Sequence, residues 1–295
     1  MKTLTKLFIL LLSFVAVACS DSDGYNANTA ETPYEPVPGR RAVARVKTTN
    51  TIDGREYSWE HNFTYDAHGR IKEINTGIKH HTARKFLDKY FYYECNITSK
   101  ANYYYRGKKL DISYTLTGEY PEYPDWNYRE SATDNFLFND LGLLVKLPSL
   151  DLVYSATQLH KAYTDAGNEY TVRRDARGNV TGFVVYSTAG DSIVRDKGRA
   201  YGYSQGLRNR TNFDFSAYFG YWGVEQALYA NRTEYYASYQ LGAFGMLGAT
   251  SEYLPVSVLN GNGEYEYGTW EMDSEGYPVS FTDATGRKTV ITYVE

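Results

Sequence analysis

Between Tyr65 and Ile71 the chain places Asp66, then Gly69 three residues on, then Arg70. That spacing limits the local geometry more than any other feature of the sequence. An Asp at the first position of a type I turn can bond nearby backbone N–H groups. A Gly three residues later can take the positive φ that closes the loop with a G1 bulge. The same Asp-x-x-Gly spacing recurs at Asp175 and Gly178, at Asp273 and Gly276, and at Asp283 and Gly286, with Asn139 and Gly142 as a variant. Ahead of the first turn Tyr57, Trp59, Phe63 and Tyr65 share one face of an alternating run, with His61 between them. A chain punctuated in this way predicts consecutive antiparallel hairpins.

The pattern repeats along the chain. Leu110, Ile112, Tyr114 and Leu116 alternate after a turn at Gly107, and Tyr90 to Tyr93 form a run of strand-favouring aromatics. Val180 to Tyr186 follows the turn at Asp175, and strands are expected again around Asp273 and Asp283. Residues 118–127, with Pro121 and Pro124, read as a long loop. Near Asn212 the period changes. Asn212 is placed to cap a helix whose face includes Phe213 and Ala217, and Val224, Ala227, Leu228 and Tyr235 keep near-helical spacing until Gly242, Gly245 and Gly248. The expectation is a mainly β protein: an antiparallel meander forming a water-exposed barrel or strongly curved sheet, with a short helical insert near 212–240. A single β domain is expected over residues 42–295.

The N-terminus carries an address. Lys2 and Lys6 precede an apolar run, residues 7–17, that is too short to span a bilayer as a helix, and Ala16, Val17 and Ala18 lead into Cys19. This resembles a bacterial lipobox, although Ala16 stands where most lipoboxes carry Leu. The resemblance implies that residues 1–18 are a lipoprotein signal peptide and that Cys19 is lipidated. Ser20, Asp21, Ser22 and Asp23 then resemble the acidic export signal of surface lipoproteins in Bacteroidota. Residues 19–41 read as the lipidated Cys and a flexible tether, being rich in Pro, Asn and Thr with few large apolar groups. Removing residues 1–18 moves the formal charge from −4 to −6, because Lys2 and Lys6 go with them. That mild acidity and the lack of a basic cluster argue against nucleic acid as a partner. With Cys19 acylated, Cys95 is left alone, so no intramolecular disulfide is available and the fold must hold by burial and hydrogen bonding.

The C-terminal third supplies a wider resemblance. Asn212 to Phe219, Leu241 to Gly245, Leu254-Pro255, and Met272 to Val279 with its Asp-x-x-Gly-Tyr turn are similar to a family of Bacteroidota lipoproteins of unknown function with a porin-like β fold. The resemblance implies an envelope β-barrel and carries over no active site. It does not imply a porin. A membrane-spanning barrel needs one uniformly apolar face, and charges such as Arg55-Glu56 and Lys108-Lys109 fall on both faces here.

The chemical candidates are few. His61, His68, His80 and His81 lie close together in sequence, with His160 further on, yet His80 and His81 must point to opposite faces of a strand. Glu119, Glu122 and Asp125 could pair as glycosidase carboxylates, but in a Pro-rich loop they read as a solvated acidic surface. Cys95 reads as a small buried residue, and the glycines at 242–248 lack phosphate-loop spacing. No nucleophile elbow, P-loop or zinc-helix motif is present, so neither catalysis nor a cofactor is expected. The aromatic residues hold more functional content: Tyr120, Tyr123, Trp126 and Tyr128 surround the Pro-rich loop as a candidate ligand platform. The plainer reading is that they stitch the loop onto the sheet. The expected function is non-catalytic binding of a lipid or glycan by an outer-membrane, lipid-anchored protein at the cell surface, with the periplasmic face as the alternative location. A structural or adhesion role, docking on other envelope proteins, is the alternative function, and a hydrolase whose site the sequence does not show is the third.

Overall fold

The computed structural model describes residues 34–86, 89–148, 150–165, 167–189, 192–220, 240–259 and 264–295. The expected signal peptide, Cys19 and the first part of the expected tether lie outside these residues, as does 221–239 of the expected helical insert. Sixteen strands among the described residues form one closed antiparallel barrel, each paired with its neighbours in sequence and the first with the last. They are β1 (Val43–Ile52), β2 (Arg55–Tyr65), β3 (Ile71–Phe86), β4 (Lys89–Arg106), β5 (Lys109–Glu119), β6 (Tyr128–Phe138), β7 (Leu144–Leu147) and β8 (Leu150–Ser155). The second half comprises β9 (Gln158–Thr164), β10 (Glu169–Arg174), β11 (Val180–Ala189), β12 (Ser192–Arg208), β13 (Tyr253–Leu259), β14 (Tyr265–Met272), β15 (Pro278–Asp283) and β16 (Lys288–Tyr293).

An up-and-down barrel has two ends. The turns β2–β3, β6–β7, β10–β11 and β14–β15 share one end with the start of β1 and the end of β16, and this end is called the base. The β5–β6 loop and the β15–β16 turn lie at the other end, the lip. Four of the five Asx turns foreseen from the sequence are therefore base turns. In each of the five, one side-chain oxygen accepts two backbone N–H groups, as Asp66 Oδ1 does from His68 (2.8 Å) and Arg70 (2.9 Å). The closing glycine sits at a φ between 72° and 83° in all five, where a Cβ would be strained. A bulge follows in the four base hairpins.

Tyrosine reinforces the same end. The hydroxyls of Tyr65, Tyr105, Tyr154, Tyr203 and Tyr293 donate to the carbonyls of Val43, Ile71, Leu144, Val180 and Pro278, at 2.6–2.9 Å. Each therefore ties an even-numbered strand to the first residue of an odd-numbered one. Burial pushes the ionisation of all five phenols above the ordinary range, so they stay protonated donors. Part of the unusual tyrosine content is thus a structural device repeated around the base.

Sixteen strands enclose more space than barrel side chains alone can fill. The chain fills it with its own β12–β13 connection. Phe213, Phe215, Leu241, Ala243, Met246 and Leu247 are buried within the barrel. Phe213 and Phe244 pack on Phe63, and Phe215 meets the Trp270 ring at 5.1 Å. The helix here, α1, spans Phe215–Gly220. Its cap differs from expectation: Asp214, not Asn212, accepts the N–H groups of Ser216 (2.9 Å) and Ala217 (3.2 Å), while its other oxygen accepts Ser251 N–H (2.6 Å). Asn212 is used elsewhere, its Oδ1 accepting the N–H of Val43. The glycine-rich stretch after 240 folds as compact turns.

The expected tether also needs correction at its end. At Tyr34 the chain is fixed to the barrel, although Glu35 and Val37 to Gly39 are exposed. The Tyr34 ring is buried, stacks on Tyr105 and Phe138, and donates to the Phe244 carbonyl (2.8 Å). A single large aromatic ring buries enough apolar surface to order a Pro-rich segment, roughly 1.5–3 kcal/mol on general transfer scales.

Outward-facing positions of β1–β6 carry charge and hydrogen-bonding groups. Arg45 and Glu60 pair at 2.7 Å, Lys100 and Glu73 at 2.7 Å, and Lys79 and Glu94 at 3.2 Å. Each of these carboxylates also accepts from an Asn two residues on: Asn62, Asn75 and Asn96. On β5 the alternation is plain, with Leu110, Ile112, Tyr114 and Leu116 buried inward and Lys109, Asp111, Ser113 and Thr115 outward. An exterior of this kind suits water, since a hydrocarbon-facing band would have to be apolar.

Candidate ligand platform at the barrel lip

β3 and β4 are the longest strands of the first half, 16 and 18 residues, and they rise past their neighbours at the lip. A second, smaller core cluster sits there, made of Ile78, Cys95, Ile97 and Leu116 with Trp59, Tyr120 and Tyr128 against it. The β5–β6 loop folds over this cluster. Pro124 opens a 3-10 turn, Pro124–Trp126, where its missing N–H and fixed φ cost nothing. Successive backbone bonds run from Tyr123 N–H to the Tyr120 carbonyl (3.0 Å) and from Trp126 N–H to the Tyr123 carbonyl (2.9 Å). Asn127 Oδ1 accepts Tyr120 N–H (2.8 Å) and so fastens the two ends of the loop together.

This brings all four platform residues named from the sequence into one place. Tyr123 and Trp126 stack at 4.4 Å with their planes 16° apart. Tyr120 meets Trp126 at 6.0 Å and Tyr128 at 6.4 Å. Tyr93 of β4 joins them, with its ring 5.4 Å from Trp126 and 5.7 Å from Tyr120. It was foreseen only as a strand residue. The signal for it lay in the alternation Tyr93, Cys95, Ile97, which sets all three on the face that Tyr120 covers. Tyr128 lies across Gly118, where a Cβ would come within 2.1 Å of its ring, so that position admits no larger residue without moving the tyrosine.

The rings stitch the loop down and still leave a surface. Trp126 is 39% exposed, at the outer side of the stack. Glu119, Glu122 and Asp125 are exposed around it. Glu122 Oε2 accepts the N–H of Glu94 (3.2 Å), and the three acids are presented along a loop. Beneath the rings Cys95 is buried, and burial raises its thiol above the ordinary range, as it does the Tyr120 phenol. Neither ionises near neutral pH, so this layer is apolar filling.

The histidines are dispersed. His61 is buried inside the barrel, its Nδ1 2.9 Å from Thr76 Oγ1, and burial pushes its pKa down to about 4. His68 lies on an exposed base turn, His81 meets Tyr57 edge-on, and His160 is exposed. Among the described residues no group of three or more His, Cys, Asp or Glu is arranged to hold a metal ion. A concavity of about 570 Å³ does lie on the outer face around Gly77, lined by Glu60, Asn62, Asn75, Lys79, Asn96 and Lys100. Its charged groups are those already joined in the carboxylate–amide and ion pairs of the exterior.

Comparison with known proteins finds similarity among solved structures. No protein-family model and no curated protein matches the chain. The crystal structure of a porin-like protein from Bacteroides uniformis is similar at 13% sequence identity and a TM-score of 0.48, covering 90% of this chain and 100% of that one.

Proposed function

We propose that this protein is a lipid-anchored barrel of the outer membrane, acylated at Cys19, that stands in water and binds a glycan at its lip without chemistry. The address rests on the lipobox-like sequence before Cys19 and on the resemblance to Bacteroidota lipoproteins. The binding reading rests on the Tyr123–Trp126 stack, held on a 3-10 turn with the Trp126 ring at its surface. A flat, half-exposed aromatic face suits the C–H face of a sugar ring, and the neighbouring Glu122, Asp125 and Asn127 can accept or donate to its hydroxyls. A lipid ligand finds less support, because the base half of the interior is filled by Phe213, Phe215 and Phe244.

The test is a screen of soluble oligosaccharides, with any hit then titrated calorimetrically against the protein and against Trp126→Ala. Support would be a hit lost in Trp126→Ala while the urea midpoint stays within error. Binding that survives the substitution would move the ligand elsewhere. Absence of any sugar hit, with a lipid mass retained in native mass spectrometry, would reverse the choice of ligand.

A further inference from the structure

The barrel's two ends differ in how the chain reaches them, in exposed aliphatic surface and in charge. The described chain enters at the base. Tyr34 is clamped between Tyr105 and Phe138, and the β1–β16 seam begins close by, where Val294 N–H donates to the Ala42 carbonyl (2.9 Å). Everything N-terminal to Tyr34, Cys19 included, is therefore joined to the protein at this end. Fourteen residues lie between the two, and even fully extended they reach at most about 50 Å.

The base also carries exposed aliphatic groups. Val37 is 54% exposed and Leu141 is 62% exposed. Both rim one cavity of about 340 Å³, whose walls include Pro36, Ile71, Leu143 and Phe244. Side chains of this kind on turn tips cost little to insert among lipid headgroups and gain on leaving water. Lys108, Arg177, Arg208 and Arg210 are exposed on the same end, together with the acids Glu35, Asp140 and Glu275; Asp140 pairs with Lys108, and Glu252 pairs with Arg208. The lip is the more acidic end: Asp53, Glu56, Glu119, Glu122, Asp125 and Asp165 are exposed there against Arg55, Arg287 and Lys288. Anionic lipids would favour the first end over the second.

We propose that the barrel rests on an anionic bilayer base-first, with Val37 and Leu141 in the headgroup layer and the aromatic lip pointing away from the membrane. This orientation rests on the acylation of Cys19 proposed above. It gives the platform a physical purpose, because a ligand arriving from solution meets the lip before any other part of the protein.

The experiment uses the mature, acylated full chain reconstituted on vesicles of equal parts phosphatidylcholine and phosphatidylglycerol. An environment-sensitive fluorophore is placed at Leu141→Cys in one sample and at Asp125→Cys in another. The expected result is co-sedimentation of both, with a blue shift and quenching by spin-labelled lipid at position 141 and neither at position 125. Co-sedimentation with the position 141 probe still in water, or with the position 125 probe quenched, would overturn the orientation and leave the anchor intact. Failure to co-sediment, together with a mass showing no acyl group on Cys19, would overturn the anchor and the orientation with it.

Discussion

Two turns of this barrel share nearly the same five residues. Asp66 to Arg70 and Asp283 to Arg287 differ only where the first has His68 and the second Thr285. Both make the same pair of backbone bonds to one aspartate oxygen, and both pair the other oxygen with the arginine Nε, at 2.7 Å and 2.8 Å. Their surroundings differ. At the base the Arg70 and Asp66 side chains are 2% and 1% exposed, and the guanidinium lies 4.6 Å from the centre of the Tyr105 ring. At the lip the Asp283 side chain is 8% exposed, but its Arg287 partner is 44% exposed. Local sequence thus dictates the turn in both places, while the weight the turn carries depends on what packs behind it. The base is a closed, interlocked floor. At the lip the paired arginine faces water.

The largest effect should come from opening the base pair. Asp66→Ala removes the carboxylate from a buried guanidinium and the acceptor from two backbone N–H groups. Breaking such a buried pair costs roughly 3–5 kcal/mol, read as a lowered urea midpoint. A comparable cost at both ends would erase the distinction between them. Next in size is an acid effect inside the barrel. Burial holds the folded pKa of His61 at about 4, below its ordinary 6.5, with the Glu60 charge opposing weakly. Above pH 6.5 the imidazole is neutral in both states. As pH falls from 6.5 toward 4 the unfolded chain takes the proton first, so stability declines by about 3 kcal/mol at 1.36 kcal/mol per pKa unit. His61→Gln should flatten this part of the stability profile, and an unchanged profile would mean that the ring is hydrated. The smallest effect belongs to the lip twin. Asp283→Ala should cost about 1–2 kcal/mol in the same urea titration, the scale of an ion pair whose arginine is open to water and a few turn bonds.

The sequence made the hairpins legible because an Asx turn is settled within five residues. The D-x-x-G positions, the alternation in β2 and β5, and the gathering of Tyr120, Tyr123, Trp126 and Tyr128 around a Pro-rich loop are all short-range consequences. What lay hidden is long-range. Closure depends on Val46 meeting Ile291 across almost the whole chain, and nothing in either strand alone encodes it. The burial of Tyr34 depends on Phe138 and Phe244, so composition alone assigned that residue to a tether. Asn212 and Asp214 are both credible caps on paper, and the choice between them was made by Val43 and Ser251, two distant backbone groups. Tyr93 carries no local mark of its role, because its partners Tyr120 and Trp126 arrive on the β5–β6 loop, beyond the rest of β4 and all of β5.

The seam between β1 and β16 has a consequence in time. Every other pairing joins strands adjacent in sequence and can form soon after each is made. The seam must wait for the last residues, and it brings together positions such as Thr48 and Thr289, whose hydroxyls meet at 2.9 Å. A contact spanning so much chain forms late and slowly, because loop closure precedes any gain from it. Until it forms, β1 and β16 each expose an unpaired edge that a second copy could join. The vulnerable period in the life of this barrel is therefore its assembly, when an unfinished seam competes with a neighbouring chain.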